Sequence, residues 1–369
     1  MDSIQVTYSV RPSEFDIEDQ ARSILLEQTV ETPDTVALQY PFVRENLMGS
    51  IANITPNDDG GFLVTLSIPS LVASQNVAQL LNVLFGNVSL HERVVLEDFD
   101  LPASTISMLR GPRFGINGLR DLLNVYDRPL TCSAIKPIGI SHTEMACLCT
   151  RLVRGGIDLI KDDHYLSDYS FSPFEERVRT CRDAVEKAAA ETGHRTIYAP
   201  HVSGTPDEIK RQVEFAQEEG IKAVLIAPML IGLPTFYELA TKYLEIPAIT
   251  HPSFGGSIRI REHVLFGKLF RMLGADAVIF PNYGGRFSYP AALCDRIAST
   301  LRAPIGHIPP AFPVPAGGMK VDRVPELVQF FGKDAILLIG GSLLEAGERL
   351  TERTRDFVGA VTEASTQLV

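Results

Sequence analysis

No stretch of this 369-residue chain is apolar for the length of a membrane span, and its first residues, MDSIQVTYSV, lack the basic and apolar regions of a secretory leader. The expectation is a cytoplasmic location with no membrane partner. Lysine and arginine form no cluster dense enough to follow a phosphate backbone, and the formal net charge is −11, which argues against nucleic acid. A small anion in a local pocket stays open. Cysteine is scarce: Cys132, Cys147, Cys149, Cys181 and Cys294 are odd in number, and CLC is too short for a zinc knuckle, so reduced structural thiols are the reading. Internal repeats and low-complexity tracts are missing too. With 45% hydrophobic and 21% charged residues, the chain reads as a folded enzyme of two domains or one large barrel with an appendage.

From about residue 130 onward, eight short apolar runs recur: LTCSAIKP, IDLIKDDH, TIYAPHVSG, AVLIAPML, PAITHPS, AVIFPNYGG, FPVPAGG and ILLIGGS. Segments with helix-period apolar positions separate them, several opening on Ser, Thr, Asp or Pro and closing at Gly; TPDE before IKRQVEF is a clear N-terminal signal. Eight strand–helix alternations predict a parallel (β/α)8 TIM barrel over residues 126–369, with functional groups on the loops at the C-terminal strand ends. Residues 1–125 read differently. A helix in FDIEDQARSILLEQTV, a strand in FLVTLSIPS, a helix in NVAQLLNVLFGN and a strand in HERVVLEDFDLP predict an α+β sandwich of ferredoxin-like type.

The strand ends carry the chemistry. The run in GGIDLIKDDH stops abruptly on Lys161, Asp163 and His164, and burying such groups unpaired is costly, so they must satisfy one another, a metal or a ligand. Lys136 closes the first barrel strand, His201 the third and His251 the fifth. Basic and acidic groups converging at one barrel mouth suit metal-assisted proton abstraction next to a carbonyl. Taken singly, His201 and His251 also read as core histidines bonded to backbone. Gly317 and Gly318 after the seventh strand, and Gly340 and Gly341 after the eighth, expose amides where barrels most often hold phosphate; tight turns without a ligand are the bland alternative.

These residues resemble a known family. GGIDLIKDDH is similar to the RuBisCO large-chain motif G-G-[LIV]-D-x-x-K-D-D-E, AIKPIGIS to T-x-K-P-K-L-G, PAGGM and IGGS to its two phosphate loops, and LLNVLFGNVSLHERVVLEDFDLP to its N-terminal I-V-G-N-V-F-G-F…L-E-D-[LF]-R-[IL]-P segment. The resemblance implies a CO2-derived carbamate on Lys161 that ligates Mg2+ with Asp163 and the residue at 164, Lys136 as the base for enolisation, and His251 as a substrate-orienting group. It also implies that Glu27 and Asn87 reach into a partner's active site, and so a homodimer. Departures are equally specific. Ile138 replaces the second lysine of K-P-K, Pro252 the arginine after the fifth-strand histidine and Ile279 the sixth-strand histidine; Arg286 stands where the sixth loop carries lysine, and the N-terminal tryptophan is missing from a chain with none. Carboxylation of ribulose bisphosphate is therefore not expected, and the chain is similar to the non-carboxylating RuBisCO-like proteins.

Where the family has a glutamate ligand the chain has His164, so three outcomes stay open: a weaker site for the expected Mg2+, a shift toward Mn2+ or another softer ion, and loss of the metal. The implied reaction forms a metal-stabilised enediolate from a phosphorylated keto sugar acid. Arg286 suits a carboxylate, which favours a decarboxylase or transcarboxylase/hydrolase of the 3-oxo-isoapionate-4-phosphate type. The alternatives are a methionine-salvage enolase or isomerase, acting on 2,3-diketo-5-methylthiopentyl-1-phosphate or 5-methylthioribulose-1-phosphate with Ile138, Pro252 and Ile279 as an apolar slot, and a non-catalytic protein that binds a phosphorylated ligand.

Overall fold

Every second residue of SIQVTYSV is apolar. In the computed structural model, which describes residues 2–73 and 76–368, this stretch is strand β1 (Ser3–Val10), with Ile4, Val6 and Tyr8 fully buried. β1 is central in an antiparallel sheet with β2 (Ser50–Pro56), β3 (Phe62–Pro69) and β4 (Val94–Asp100), in the order β2-β3-β1-β4. Helix α1 (Ile17–Thr29) joins β1 to β2, and α2 (Val77–Phe85) joins β3 to β4. Asp16 caps α1 by accepting from the Glu18 amide, and Asn76 caps α2 by accepting from the Ala78 and Gln79 amides. This βαββαβ order is the ferredoxin-like arrangement expected from the sequence. Residues 255–265 follow a barrel strand in sequence yet belong to this first unit with residues up to 109. The Leu96 amide donates to the Arg259 carbonyl and the Arg261 amide to the Leu96 carbonyl, each at 3.0 Å, so the segment extends the sheet beyond β4.

The second unit holds residues 110–254 and 266 onward. It opens with α3 (Gly115–Leu123), a segment that the sequence placed in the first half. Ile116, Leu119 and Leu123 on its apolar face pack with Leu130, Leu159, Ile197, Ala223, Phe312 and Ile336, so the helix plugs the N-terminal end of the barrel. No side chain of its own caps α3; the buried Asp276 carboxylate accepts from the Phe114 and Gly115 amides at 2.7 Å instead. Asp276 lies 162 residues downstream of Phe114, too far for a local capping signal.

Each of the eight apolar runs is a barrel strand: β5 (Leu130–Ile135), β6 (Leu159–Asp162), β7 (Ile197–Ala199), β8 (Val224–Ile226), β9 (Ala248–Thr250), β10 (Ala277–Pro281), β11 (Phe312–Ala316) and β12 (Ile336–Leu338). Parallel ladders run β12-β5-β6-β7 and β8-β9-β10-β11. A His201–Leu225 bridge links β7 to β8, and β11 lies against β12, which closes the barrel. The crossovers are α4 (His142–Arg154), α5 (Phe174–Thr192), α6 (Pro206–Glu218), helical stretches at 233–243 and 263–272, α7 (Ala291–Arg302) and α8 (Val324–Phe331); α9 (Leu350–Ser365) follows β12. Capping boxes start α4 (Ser141 with Glu144) and α6 (Thr205 with Glu208), the second being the TPDE signal. No helix among the described residues is long and apolar enough to cross a membrane.

At the lower end of β6, the wholly buried Asp158 accepts two bonds from Arg128 (2.7 and 2.9 Å) and two from Thr131, and lies 3.2 Å from His194. Burial alone pushes this carboxyl up, but His194 and Arg128 outweigh it and hold the group down to about 2. The folded value lies below the unfolded one, so the stabilisation is present above about pH 4 and is lost as pH falls toward 2. Asp158→Ala, which leaves Arg128 buried without its partner, is expected to cost about 3–5 kcal/mol in urea unfolding at pH 7. That difference should shrink when the measurement is repeated near pH 3; a pH-independent cost would show that the ion pair is not its source.

Candidate active site

Strand pleating decides which residues meet. Leu130 and Cys132 of β5, Leu159 of β6, Ile197 and Ala199 of β7, Ile249 of β9 and Leu338 of β12 all lie in the apolar barrel interior. Continuing the same period-two alternation past the strand ends brings Lys136, Lys161, Asp163, His201, His251 and Gly340 to the inward layer above that core. Asp162 has the opposite parity and is wholly buried outside this layer, where it accepts from Arg177 Nε (3.1 Å), the Tyr198 hydroxyl (2.8 Å) and the His201 amide (3.1 Å). The two adjacent aspartates thus have separate jobs.

In the inward layer, Lys136 Nζ lies 2.7 Å from Asp163 Oδ2, while Asp163 Oδ1 accepts from the Tyr165 amide at 3.0 Å and lies 3.3 Å from His164 Nδ1. Burial works to raise the Asp163 carboxyl, but Lys136, the Tyr165 amide and Lys161 hold it below the usual carboxylate range. Lys161 is almost completely buried, its amine donates to the Asp162 carbonyl at 2.9 Å, and burial pushes it below the usual lysine range. The His164 ring lies flat on that of His251, with centroids 3.9 Å apart and planes 12° from parallel. Burial first, and then the charge of Lys161, lowers both imidazoles, with Lys136 and Arg286 adding to the effect on His164. His201 is buried, with Nδ1 3.2 Å from the Leu166 carbonyl and Nε2 without a partner, and burial pushes it down to about 4.

The two glycine pairs come together at the mouth. The Ser342 hydroxyl donates to the Met319 carbonyl at 2.8 Å and ties the loop after β12 to the loop after β11. Gly317 and Gly318 take positive φ angles of 91° and 87°, and the Gly317 carbonyl accepts from the Arg286 amide at 2.9 Å. A side chain at Gly285 would meet that carbonyl at 2.1 Å, so the sixth loop docks on the seventh only because both are glycine there. Arg286 itself is exposed, its guanidinium 5.0 Å above the Phe287 ring.

Other expected residues lie elsewhere. Glu27 and Asn87 belong to the first unit, where the Asn87 amide donates to Glu27 at 2.8 Å and to Glu31 at 3.1 Å beside a cavity of about 190 Å³. Ile279 is part of the apolar barrel core, 2% exposed, whereas Ile138 is open to solvent. The sequence reading missed Arg177 and Ser253. Arg177 had a signal, since it lies on the buried face of α5 with Phe174, Val178, Cys181 and Val185, where a cation demands a carboxylate.

Residues 115–285 match the family model of the ribulose bisphosphate carboxylase large chain, catalytic domain. Ribulose bisphosphate carboxylase-like protein 1 of Rhodopseudomonas palustris is 43% identical over 97% of both chains. The chain belongs to the RuBisCO large-chain family, in its RuBisCO-like, non-carboxylating branch. The 5-methylthioribulose-1-phosphate isomerase of Rhodospirillum rubrum is 41% identical over 99% of this chain and 98% of its own length. Among solved structures, a Rubisco-like protein from R. palustris superposes with a TM-score of 0.90 at 39% identity, covering 98% of both chains. Octameric Rubisco from Pyrococcus horikoshii gives 0.92 at 26% identity, covering all of this chain and 89% of its own.

Among the described residues, no three His, Cys, Asp or Glu side chains are arranged to hold a metal ion, so the family's Mg2+ depends on the lysine carbamate for a further donor. The residues fit that requirement. A carbamate on the buried Lys161, whose amine burial holds below the usual lysine range, would add an anionic donor, Asp163 faces the same layer, and the His164 nitrogen could add a borderline-soft third donor. In bicarbonate, titration calorimetry is expected to show Mn2+ binding at least about tenfold tighter than Mg2+, and His164→Glu should narrow the gap. Equal affinities in the native protein would remove His164 from the ligand set.

Proposed function

We propose that the chain is an isomerase that moves a proton between carbons of a phosphorylated keto sugar, of the 5-methylthioribulose-1-phosphate class, through an enediolate. The observation that carries this reading is the pair Lys136–Asp163, 2.7 Å apart at the barrel mouth, beside a second, desolvated lysine. The 41% identity to the R. rubrum isomerase over nearly the full length supports the same choice. The carbon–carbon cleavage expected from Arg286 draws no support from the R. rubrum isomerase, and proton transfer takes its place.

The amides of Gly317, Gly318, Gly340 and Gly341 bind the phosphate, with Arg286 beside them as a second cation. Lys136 takes the proton from one carbon and returns it to another, and Asp163 holds its amine in place. His251 and His201 face the substrate's oxygen atoms and keep water out. Carbamylated Lys161, Asp163 and His164 would hold a divalent ion, whose positive charge would stabilise an enediolate. In a homodimer, Glu27 and Asn87 of one copy orient substrate hydroxyls in the barrel of the other. A binding protein without chemistry has no use for Lys136 and Lys161 in one mouth, which speaks against that reading.

The test is 5-methylthioribulose 1-phosphate with the protein in bicarbonate and divalent metal in D2O, followed by NMR. Isomer formation with uptake of solvent deuterium is expected, and Lys136→Met should lower the rate about 10²–10⁴-fold. No isomer and no exchange, with CO2 released instead from a phosphorylated 3-oxo sugar acid, would overturn the reading in favour of a lyase.

A further inference from the structure

His251 is followed by Pro252, which has no amide hydrogen, and then by Ser253. The Ser253 backbone N–H donates to His251 Nδ1 at 3.2 Å, and the Ser253 hydroxyl lies 2.8 Å from the same nitrogen. A ring nitrogen that accepts from a backbone amide carries no hydrogen, so the hydrogen of the neutral ring must be on Nε2. Stacking on His164, 3.9 Å away and nearly parallel, leaves the imidazole little freedom to rotate away from this partner. We infer that Ser253 is a positioning residue that fixes His251 as a neutral Nε2–H donor, so that His251 gives a hydrogen bond to the developing substrate oxyanion and is not the base.

His201 provides the contrast. Its Nδ1 faces the Leu166 carbonyl, which can only accept, so the hydrogen sits on Nδ1 and Nε2 is left with a lone pair. Two imidazoles of one mouth are thereby held in opposite tautomers. A donor tuned in this way is worth most where charge develops in a site shielded from water. The role at the oxyanion rests on the isomerase reading above, whereas the tautomer does not.

The experiment is therefore in two parts. In ¹⁵N-labelled protein, long-range ¹H–¹⁵N spectra are expected to show His251 with hydrogen on Nε2 and His201, in the same sample, with hydrogen on Nδ1. Ser253→Ala, which keeps the backbone amide, should leave His251 unchanged, and Ser253→Pro, which removes it, should release the ring to a mixture of tautomers. His251 with hydrogen on Nδ1 or on both nitrogens in the native protein would overturn the inference, whatever the enzyme acts on. In turnover of 5-methylthioribulose 1-phosphate, His251→Gln, which keeps a donor, should stay within about tenfold of native. His251→Glu, which offers only acceptors, should fall about 10²–10³-fold. Activity retained by the glutamate variant and lost by the glutamine variant would make His251 the base instead.

Discussion

The ion pair between Asp162 and Arg177, with both side chains wholly buried, is the constraint on which the mouth of the barrel depends. Taking two charges out of water costs more than their attraction returns unless every remaining donor and lone pair is met. Here they are met. Asp162 also accepts from the Tyr198 hydroxyl and the His201 amide, and Arg177 also donates to the Ser167 and Ser172 carbonyls. The consequence is geometric. With Asp162 held outside the inward layer, pleating obliges Lys161 and Asp163 on either side of it to face inward, and the 166–172 loop gripped by Arg177 carries the Leu166 carbonyl that orients His201. One clasp sets the direction of three residues of the mouth.

Electrostatics at that mouth run against those of the whole chain. The formal net charge is −11, yet Lys136 and Lys161 lie beside one inward carboxylate, Asp163, and the charge of Arg286 reaches His164. Local charge of this sign opposes the overall field at the mouth, and low-dielectric walls strengthen the effect. It also bears on the imidazoles of His164 and His251, which are held below the usual histidine range. Burial disfavours their charged form, and the lysines beside them disfavour it further.

The barrel was legible because its signal is local and repeated: eight apolar runs bounded by turn residues each became a strand, and the polar residues that end them became the mouth. Asp163 and His164 were likewise visible as polar groups where an apolar run stops. What stayed hidden depends on contacts distant in sequence. Helix α3 is held to the barrel by a carboxylate 162 residues away from its start, and residues 255–265 complete a sheet whose β4 ends at Asp100, so no window of sequence displays either attachment. Ile279 looked like a mouth residue by correspondence with a family histidine, and it faces inward as part of the apolar core cluster. Tautomers were out of reach as well, since they are set by single amide and carbonyl groups that no side-chain pattern encodes.

The departures from the family pattern are coupled to one another through this geometry. Ile279 in the core raises the apolar floor under β10 and removes a polar group from the sixth strand. Pro252 removes a cation and an amide hydrogen together, which makes Ser253 the first backbone donor after His251, and that donor is the one aimed at the ring. His164 then stacks on the ring so fixed and lies beside Asp163. Residue 164 lies just beyond β6, whose ladder ends at Asp162, so exchanging glutamate for histidine there leaves the strand's pleat, the Asp162 clasp and the inward facing of Lys161 untouched. The change acts at the mouth, on the donor offered at 164 and on the ring stacked against His251, and leaves the fold beneath it as it was.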